Sequence, residues 1–298
     1  MEAKRFLSAV AIVATVTFTS CNNVVVDIAD DSTPVAVQFS AGIEAVPKAQ
    51  TYASGTSWSP GDAIGIFMVE NGTFDISLGA ENKEYTTTGD GNFTEVAGGI
   101  YYPLSGNVGF IAYYPWQTGM DLTDPYEVDV IDQSNPEAID LLWAMENNGG
   151  SGYNSGIIAL KFSHMLTRIV LNATPGDGLT AADLAGMTVK ICGLKTKADF
   201  RLAEGTLGTP SDVADIEPQL VAGKYEAIIV PQLVGAHVME VKFILANSDE
   251  FVWDVPVTTF AAGKEYTYTI TLKRSGEVSF TGTINPWIPE AGGSGIAE

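Results

Sequence analysis

The chain has 298 residues, two cysteines, two histidines and a formal net charge of −21, from 36 acidic and 15 basic side chains. Hydrophobic residues make up 46% and charged residues 17%, which suits a packed core and not a disordered chain. The acidic balance argues against nucleic acid, whose phosphates need Lys and Arg clusters, and against electrostatic docking on anionic lipid. So few cysteines exclude a disulfide-stapled scaffold or a Cys-based zinc site, and two histidines exclude most His-rich metal or relay sites.

Residues 1–20 read as an export signal. Lys4 and Arg5 precede an apolar run from Phe6 to Phe18. Those 13 residues are too few to span a hydrocarbon core as a helix, which takes about 20. Thr19 and Ser20 then precede Cys21, which resembles a bacterial lipobox, with cleavage before Cys21 and lipidation of its thiol. The other reading is an ordinary secretory signal with an incidental cysteine. Lipidation makes a mature chain of 278 residues with 35 acidic and 13 basic side chains, anchored by acyl chains. Cys192 is then the only free thiol and reads as a small core residue. Residues 21–35 read as a tether.

Strand signals follow in succession, as alternating or β-branched runs bounded by Gly, Asn, Asp and Pro. They cover 35–39, 63–69, 108–114, 157–162, 167–173, 187–191, 225–230, 238–245, 250–255, 264–272 and 278–283. Short helical turns are expected at 136–145 and at 180–185, the second with Thr180 as N-cap before Asp183. No longer window shows helical periodicity. The spacing fits an all-β chain of sandwich type. A boundary near 162–168 divides it into domains over 36–165 and 166–288, with a flexible Gly/Ser-rich tail at 289–298. Lys48, Lys83 and Lys161 are the only basic residues of the mature first half, against ten in the second.

Catalytic patterns are missing. Gly223-Lys224 and Gly263-Lys264 lack the rest of a phosphate loop, and Gly149-Gly-Ser-Gly-Tyr153 fails as a nucleophile elbow. His164 and His237 sit in strand-like contexts and read as structural. Carboxylate pairs such as Asp129 and Asp132 are expected by chance in so acidic a chain, and no calcium loop is present. No metal and no cofactor is expected. Trp58, Trp116, Trp143, Trp253 and Trp287 read mainly as packing residues, although Trp116 or Trp253 could form a sugar platform if exposed.

Several blocks in order carry a resemblance. They are Trp58-Ser-Pro-Gly-Asp-Ala-Ile-Gly-Ile66, Ile100-Tyr-Tyr-Pro103, Phe110-Ile-Ala-Tyr-Tyr-Pro115 and Asp140-Leu-Leu-Trp-Ala144. Phe162-Ser-His-Met-Leu166, Phe200-Arg-Leu202 with Gly205, and Ile228-Ile-Val-Pro-Gln232 follow. Phe260-Ala-Ala-Gly-Lys-Glu-Tyr-Thr-Tyr-Thr-Ile-Thr-Leu272 and Ile284-Asn-Pro-Trp287 close the set. Together, over about residues 36–288, they are similar to the fimbrillin-like proteins of Bacteroidetes, the type V pilin superfamily.

The resemblance implies two tandem transthyretin-like β-sandwich (Greek-key) domains, no catalysis, and an outer membrane lipoprotein acylated at Cys21. It further implies a fimbrial subunit that serves adhesion and assembles with other fimbrial subunits by β-strand exchange, once a protease has removed the N-terminal strand. A host or bacterial surface ligand is a further possible partner. No arginine precedes Arg168 in the mature chain, so the matching cleavage site is Lys48–Ala49, unless Lys48 is only a loop lysine. The donor strand implied is Val278, Phe280, Gly282 and Ile284, unless that segment closes its own sandwich and the protein is an anchor, tip or accessory subunit. The alternative function is a monomeric surface lipoprotein that binds glycan or another ligand.

Overall fold

A computed structural model describes residues 34–44, 57–153, 156–274 and 279–286. The export signal, Cys21, most of the tether, Lys48, Ala49, Val278 and the C-terminal tail lie outside them. The first strands are β1 (Phe39–Ile43), β2 (Ala63–Glu70), β3 (Lys83–Thr87), β4 (Asn92–Glu95), β5 (Val108–Tyr114) and β6 (Pro125–Asp129). A turn of helix, α1 (Pro136–Ile139), leads to β7 (Leu142–Glu146) and β8 (Ile158–His164). Next come β9 (Thr167–Pro175), β10 (Thr188–Cys192), β11 (Lys195–Arg201), β12 (Thr206–Leu207), β13 (Ser211–Val213), β14 (Gln219–Val221) and β15 (Lys224–Ile229). The last are β16 (Gln232–Val234), β17 (Glu240–Ile244), β18 (Glu250–Asp254), β19 (Thr258–Phe260), β20 (Lys264–Leu272) and β21 (Ser279–Pro286). The all-β expectation holds.

Seven of the first eight strands form one hydrogen-bonded circuit, β1-β4-β3-β2-β5-β7-β8, which a parallel β1–β8 pair closes. Its interior holds Ile64, Ile66 and Met68 of β2 and Phe110, Ala112 and Tyr114 of β5. The intervening Phe67, Val69, Ile111 and Tyr113 face the other way, into a second core shared with the C-terminal strands. Burial on both faces is why these two segments read as unbroken apolar runs and not as alternations.

The second core lies among four sheets: β14-β15-β9-β20-β21, β10-β17-β18, β11 flanked by β12, β13 and β6, and the pair β16-β19. In the first of these, β9 and β20 run parallel over nine residues. Strand β6 comes from before residue 165 but pairs with β11, placing Tyr126 opposite Phe200 and Val128 opposite Ala198.

Some local expectations differ. The first strand is Phe39–Ile43, where 35–39 was expected; only Ala36 of the earlier segment bridges, to Tyr101. Burial at alternate positions continues from Val37 to Ile43, so the sheet follows that pattern. Helix at 136–145 ends at Ile139, because Leu142 and Ala144 are drawn into the circuit opposite Tyr114 and Ala112. At 180–185 there is only a turn. Thr180 donates both its N–H and its hydroxyl to the Asp183 carboxylate, at 2.7 and 2.6 Å, which caps the loop back on itself. His237 sits in a turn at positive φ, paired with Asp254, and not on a strand.

Single side chains tie distant strands together. The Trp143 indole donates to the Leu202 carbonyl at 2.8 Å. Its ring lies over Gly205, where a Cβ would come within 2.7 Å of it and where φ is +65°. Gln133 bonds both the N–H and the carbonyl of Ile228, each at 2.9 Å. Gln232 does the same for Lys195, at 3.0 and 2.9 Å. Each amide copies a strand neighbour, and Gln133 satisfies a buried backbone.

Gly205→Ala is therefore expected to destabilise the protein by about 2–3 kcal/mol in equilibrium denaturation, from overpacking and left-handed strain together. In a Trp143→Leu background the cost is expected to fall to about 1 kcal/mol, the strain alone. An unchanged cost would show that the ring is not the obstacle.

Candidate functional site

The strand that closes the N-terminal circuit is the most deeply built feature of the fold. β1 runs parallel to β8 over five residues, Phe39 opposite Ile158 through Ile43 opposite Phe162. On its other side it pairs with β4 at only two positions. Further backbone bonds extend its hold, from Val37 N–H to Ile100 O at 2.8 Å and from Glu44 N–H to Phe162 O at 2.8 Å.

Val37, Phe39, Ala41 and Ile43 all point inward and are buried. Phe39 meets Tyr85 and Phe110 edge to face, each at 5.1 Å between centroids. The Trp58 indole lies beneath the strand and donates to the Ala41 carbonyl at 2.8 Å. Trp58 itself packs edge to face on Phe93, Tyr114 and Phe162. Asp62 holds this loop by accepting from Ser59 N–H at 2.7 Å and from the Tyr114 hydroxyl at 3.2 Å. Burial pushes the Asp62 carboxyl up and the Tyr85 phenol up to about 12. The Trp-x-x-Gly-Asp block is thus the floor under β1. Without β1, this floor is a slot lined by aromatic rings.

The C-terminal strand is the opposite case. β21 pairs antiparallel with β20 along its whole length, from Thr271 opposite Ser279 to Lys264 opposite Pro286. It is the last strand of its sheet, so one edge carries no strand among the described residues. Phe280, Gly282 and Ile284 stand opposite Ile270, Tyr268 and Tyr266. Directly opposed residues share a face, and those three partners are buried. Phe280 and Ile284 are nevertheless 42% and 62% exposed. Among the described residues Phe280 meets one ring, Trp253, at 5.0 Å between centroids. The ladder, not side-chain burial, holds β21 in place.

Gly282 lies against the Tyr268 ring, where a Cβ would come within 2.9 Å of two ring carbons. Burial pushes the Tyr268 phenol up to about 12. The Trp253 indole N–H is buried with no acceptor among the described residues.

Of the sequence-predicted site residues, Phe280, Gly282 and Ile284 are described and do form one face of a strand. Cys21, Lys48, Ala49 and Val278 fall outside the described residues. Trp253 is 3% exposed and cannot be a sugar platform, and Trp116 packs against the core. Burial, with Asp215 beside it, pushes the Cys192 thiol up to about 11, the reverse of an activated nucleophile. His164 is buried against Asp140 at 3.0 Å, and Arg168 is paired with Glu226 and Glu265. Among the described residues no cluster of His, Cys, Asp and Glu is placed to hold a metal, and no helix is long and apolar enough to cross a membrane. The floor role of Trp58 and Asp62 was not read from the sequence, although the block containing them was singled out.

The fimbrillin-like family profile matches residues 51–287. A candidate fimbrium subunit of Bacteroides uniformis, Fim1C, is 33% identical over 276 residues, 87% of each chain. A crystal structure of a candidate cell adhesion protein from the same species is 31% identical, with a TM-score of 0.72 over 85% of this chain and 99% of that one. A second crystal structure, a candidate cell adhesion protein from Bacteroides ovatus, is 22% identical and shares the fold, with a TM-score of 0.64 over 87% and 99%. These are fimbrial and adhesion proteins, not enzymes. A profile match over most of the chain, and a relative one-third identical along its length, establish that this chain belongs to the fimbrillin-like family.

Proposed function

We propose that the protein is a structural subunit or accessory protein of surface fimbriae, serving adhesion and assembling by exchange of β-strands between subunits. On this reading residues 36–165 and 166–288 are its two domains. The chain reaches the outer membrane as a lipoprotein acylated at Cys21, and cleavage between Lys48 and Ala49 frees β1. The slot then takes an extended segment from a neighbouring subunit, which is strand addition to an opened sheet.

One observation carries the proposal: the two terminal strands are bound in opposite ways. β1 buries large side chains on an aromatic floor, so any strand seated there gains roughly 5–9 kcal/mol from three large apolar residues at about 1.5–3 each. β21 leaves its apolar side chains only partly covered while occupying a sheet edge, a strand released at lower cost and apt to pair elsewhere. The burial of Trp253 leaves the monomeric ligand-binding alternative without its platform.

Intact mass and N-terminal sequencing of the protein taken from native cell-surface polymer test the reading. A chain beginning at Ala49 without lipid is the expected result. A chain that begins at acylated Cys21 and is found only as monomer would defeat strand exchange and leave a retained lipoprotein.

The asymmetry itself is measurable in the uncleaved protein. Phe39→Ala is expected to lower unfolding stability by about 3–5 kcal/mol, as for a fully buried ring. Phe280→Ala is expected to cost about 1–2 kcal/mol, because its ring is already 42% exposed. Equal losses in urea denaturation would contradict the contrast on which the reading rests.

A further inference from the structure

Three loops meet at the end of the N-terminal circuit where β2 and β7 finish and β5 begins. They are residues 71–80 after β2, 103–107 before β5 and 147–153 after β7. Their backbones hold one another. The Asn71 N–H donates to the Asn107 carbonyl at 2.9 Å, and the Val108 N–H to the Ser151 carbonyl at 3.1 Å. The buried Asn148 amide donates to the same Ser151 carbonyl at 2.9 Å. Gly152 approaches so closely that a Cβ there would stand 1.9 Å from the Gly106 carbonyl oxygen. Loops tied in this way present a fixed surface on a sheet scaffold.

The first two loops border an open cleft of about 500 Å³, within the range of about 300–1,000 Å³ usual for ligand sites. Asn71, Ser77, Ser105 and Asn107 line it, with Glu70 as its one carboxylate. Ser77 is 8% exposed, and its hydroxyl has no hydrogen-bond partner among the described residues. A buried hydroxyl seldom goes unpaired, so its place in the cleft wall marks a position for an entering polar group. The third loop adds a ring. Tyr153 is 55% exposed and meets Tyr102 edge to face at 5.5 Å, and Tyr102 adjoins Pro103 of the lining. Charge narrows the choice of ligand. The three loops hold Asp75 and no Lys or Arg, so a phosphate, sulfate or carboxylate would meet like charge and no cation.

We propose that this cleft binds a neutral oligosaccharide. Sugar hydroxyls both donate and accept, which matches the two amides, the serine hydroxyls and the Glu70 carboxylate. The apolar face of a sugar ring covers the exposed Tyr153 ring. Tyr, Ser, Gly and Asn are also the residues that loop-built recognition surfaces favour. The site is not the tryptophan platform expected from the sequence and uses neither Trp116 nor Trp253. It gives the adhesive part of the function proposed above a class of ligand, rests on that part alone, and does not depend on strand exchange.

The test uses the full chain with Cys21→Ser, biotinylated and held as tetramers on streptavidin, on an array of neutral, sialylated and sulfated oligosaccharides. Retention on neutral glycans alone is expected. The best-retained glycan is then titrated into the monomer. Asn71→Asp and Asn107→Asp keep side-chain size and the backbone bonds between the loops. Each is expected to weaken binding by about tenfold or more, as for the loss of one or two hydrogen bonds. Tyr153→Ala is expected to weaken it by about threefold or more, from loss of the ring face. All three are expected to keep the parent's thermal midpoint, and Lys224→Ala, on β15, its affinity. Retention of acidic glycans only, or of none, would overturn the ligand class. Neutral-glycan binding left unchanged by all three loop variants would overturn the site. Each of these results leaves strand exchange standing, and a chain that binds through the cleft but never polymerises would defeat strand exchange alone.

Discussion

The N-terminal circuit depends on one short strand. β1 closes it by pairing with β8 in parallel and β4 in antiparallel sense, and it covers an aromatic floor that no other strand covers. A sheet closed on itself has no edges, and edges are where sheets recruit other chains. Taking out the closing strand does two things at once. It bares two rows of backbone donors and acceptors, and it uncovers pockets already shaped for Val, Phe, a small residue and Ile. Few other segments of this fold would expose so specific a vacancy when removed.

The rest of the molecule braces the wall that faces this strand. β2 and β5, which form the wall opposite the seam, are buried on both faces. Their outer faces pack on the C-terminal core, so the wall is supported from outside. β6 lies in the C-terminal sheets, Trp143 is docked over Gly205, and Gln133 and Gln232 each tie off a backbone pair. The Gln133 pair is buried, and a satisfied buried bridge of that kind favours one arrangement of the sheets over alternatives. The C-terminal strand is attached to these sheets chiefly by its backbone ladder to β20.

Much of this was legible in the chain. Strands β2, β5 and β20 were read at or within one residue of their bounds, because apolar runs and strict alternation are direct records of burial. Phe280, Gly282 and Ile284 were legible as one face for the same reason. The short strands β3, β4, β6 and β11 to β14 were not. Lys-Glu-Tyr-Thr-Thr and Lys-Thr-Lys-Ala-Asp-Phe-Arg are polar at every second residue or more, and it is their neighbours in space that make them strands. The helix expected at 136–145 failed likewise: Leu142 to Glu146 suits either structure locally, and pairing with β5 decides it.

The sequence by itself determined the class of fold and the apolar face of the last strand, since composition and periodicity are local properties written residue by residue, and its ordered blocks carried the resemblance to the family. Only the tertiary structure decided that Val37, Phe39, Ala41 and Ile43 are buried while Phe280 and Ile284 stay partly exposed. That difference lies in what stands beneath each strand: Trp58, Tyr85 and Phe110 under the first, and little more than the Trp253 ring beside the second. These partners come from distant parts of the chain, and long-range packing of that kind leaves no mark in the periodicity of either segment.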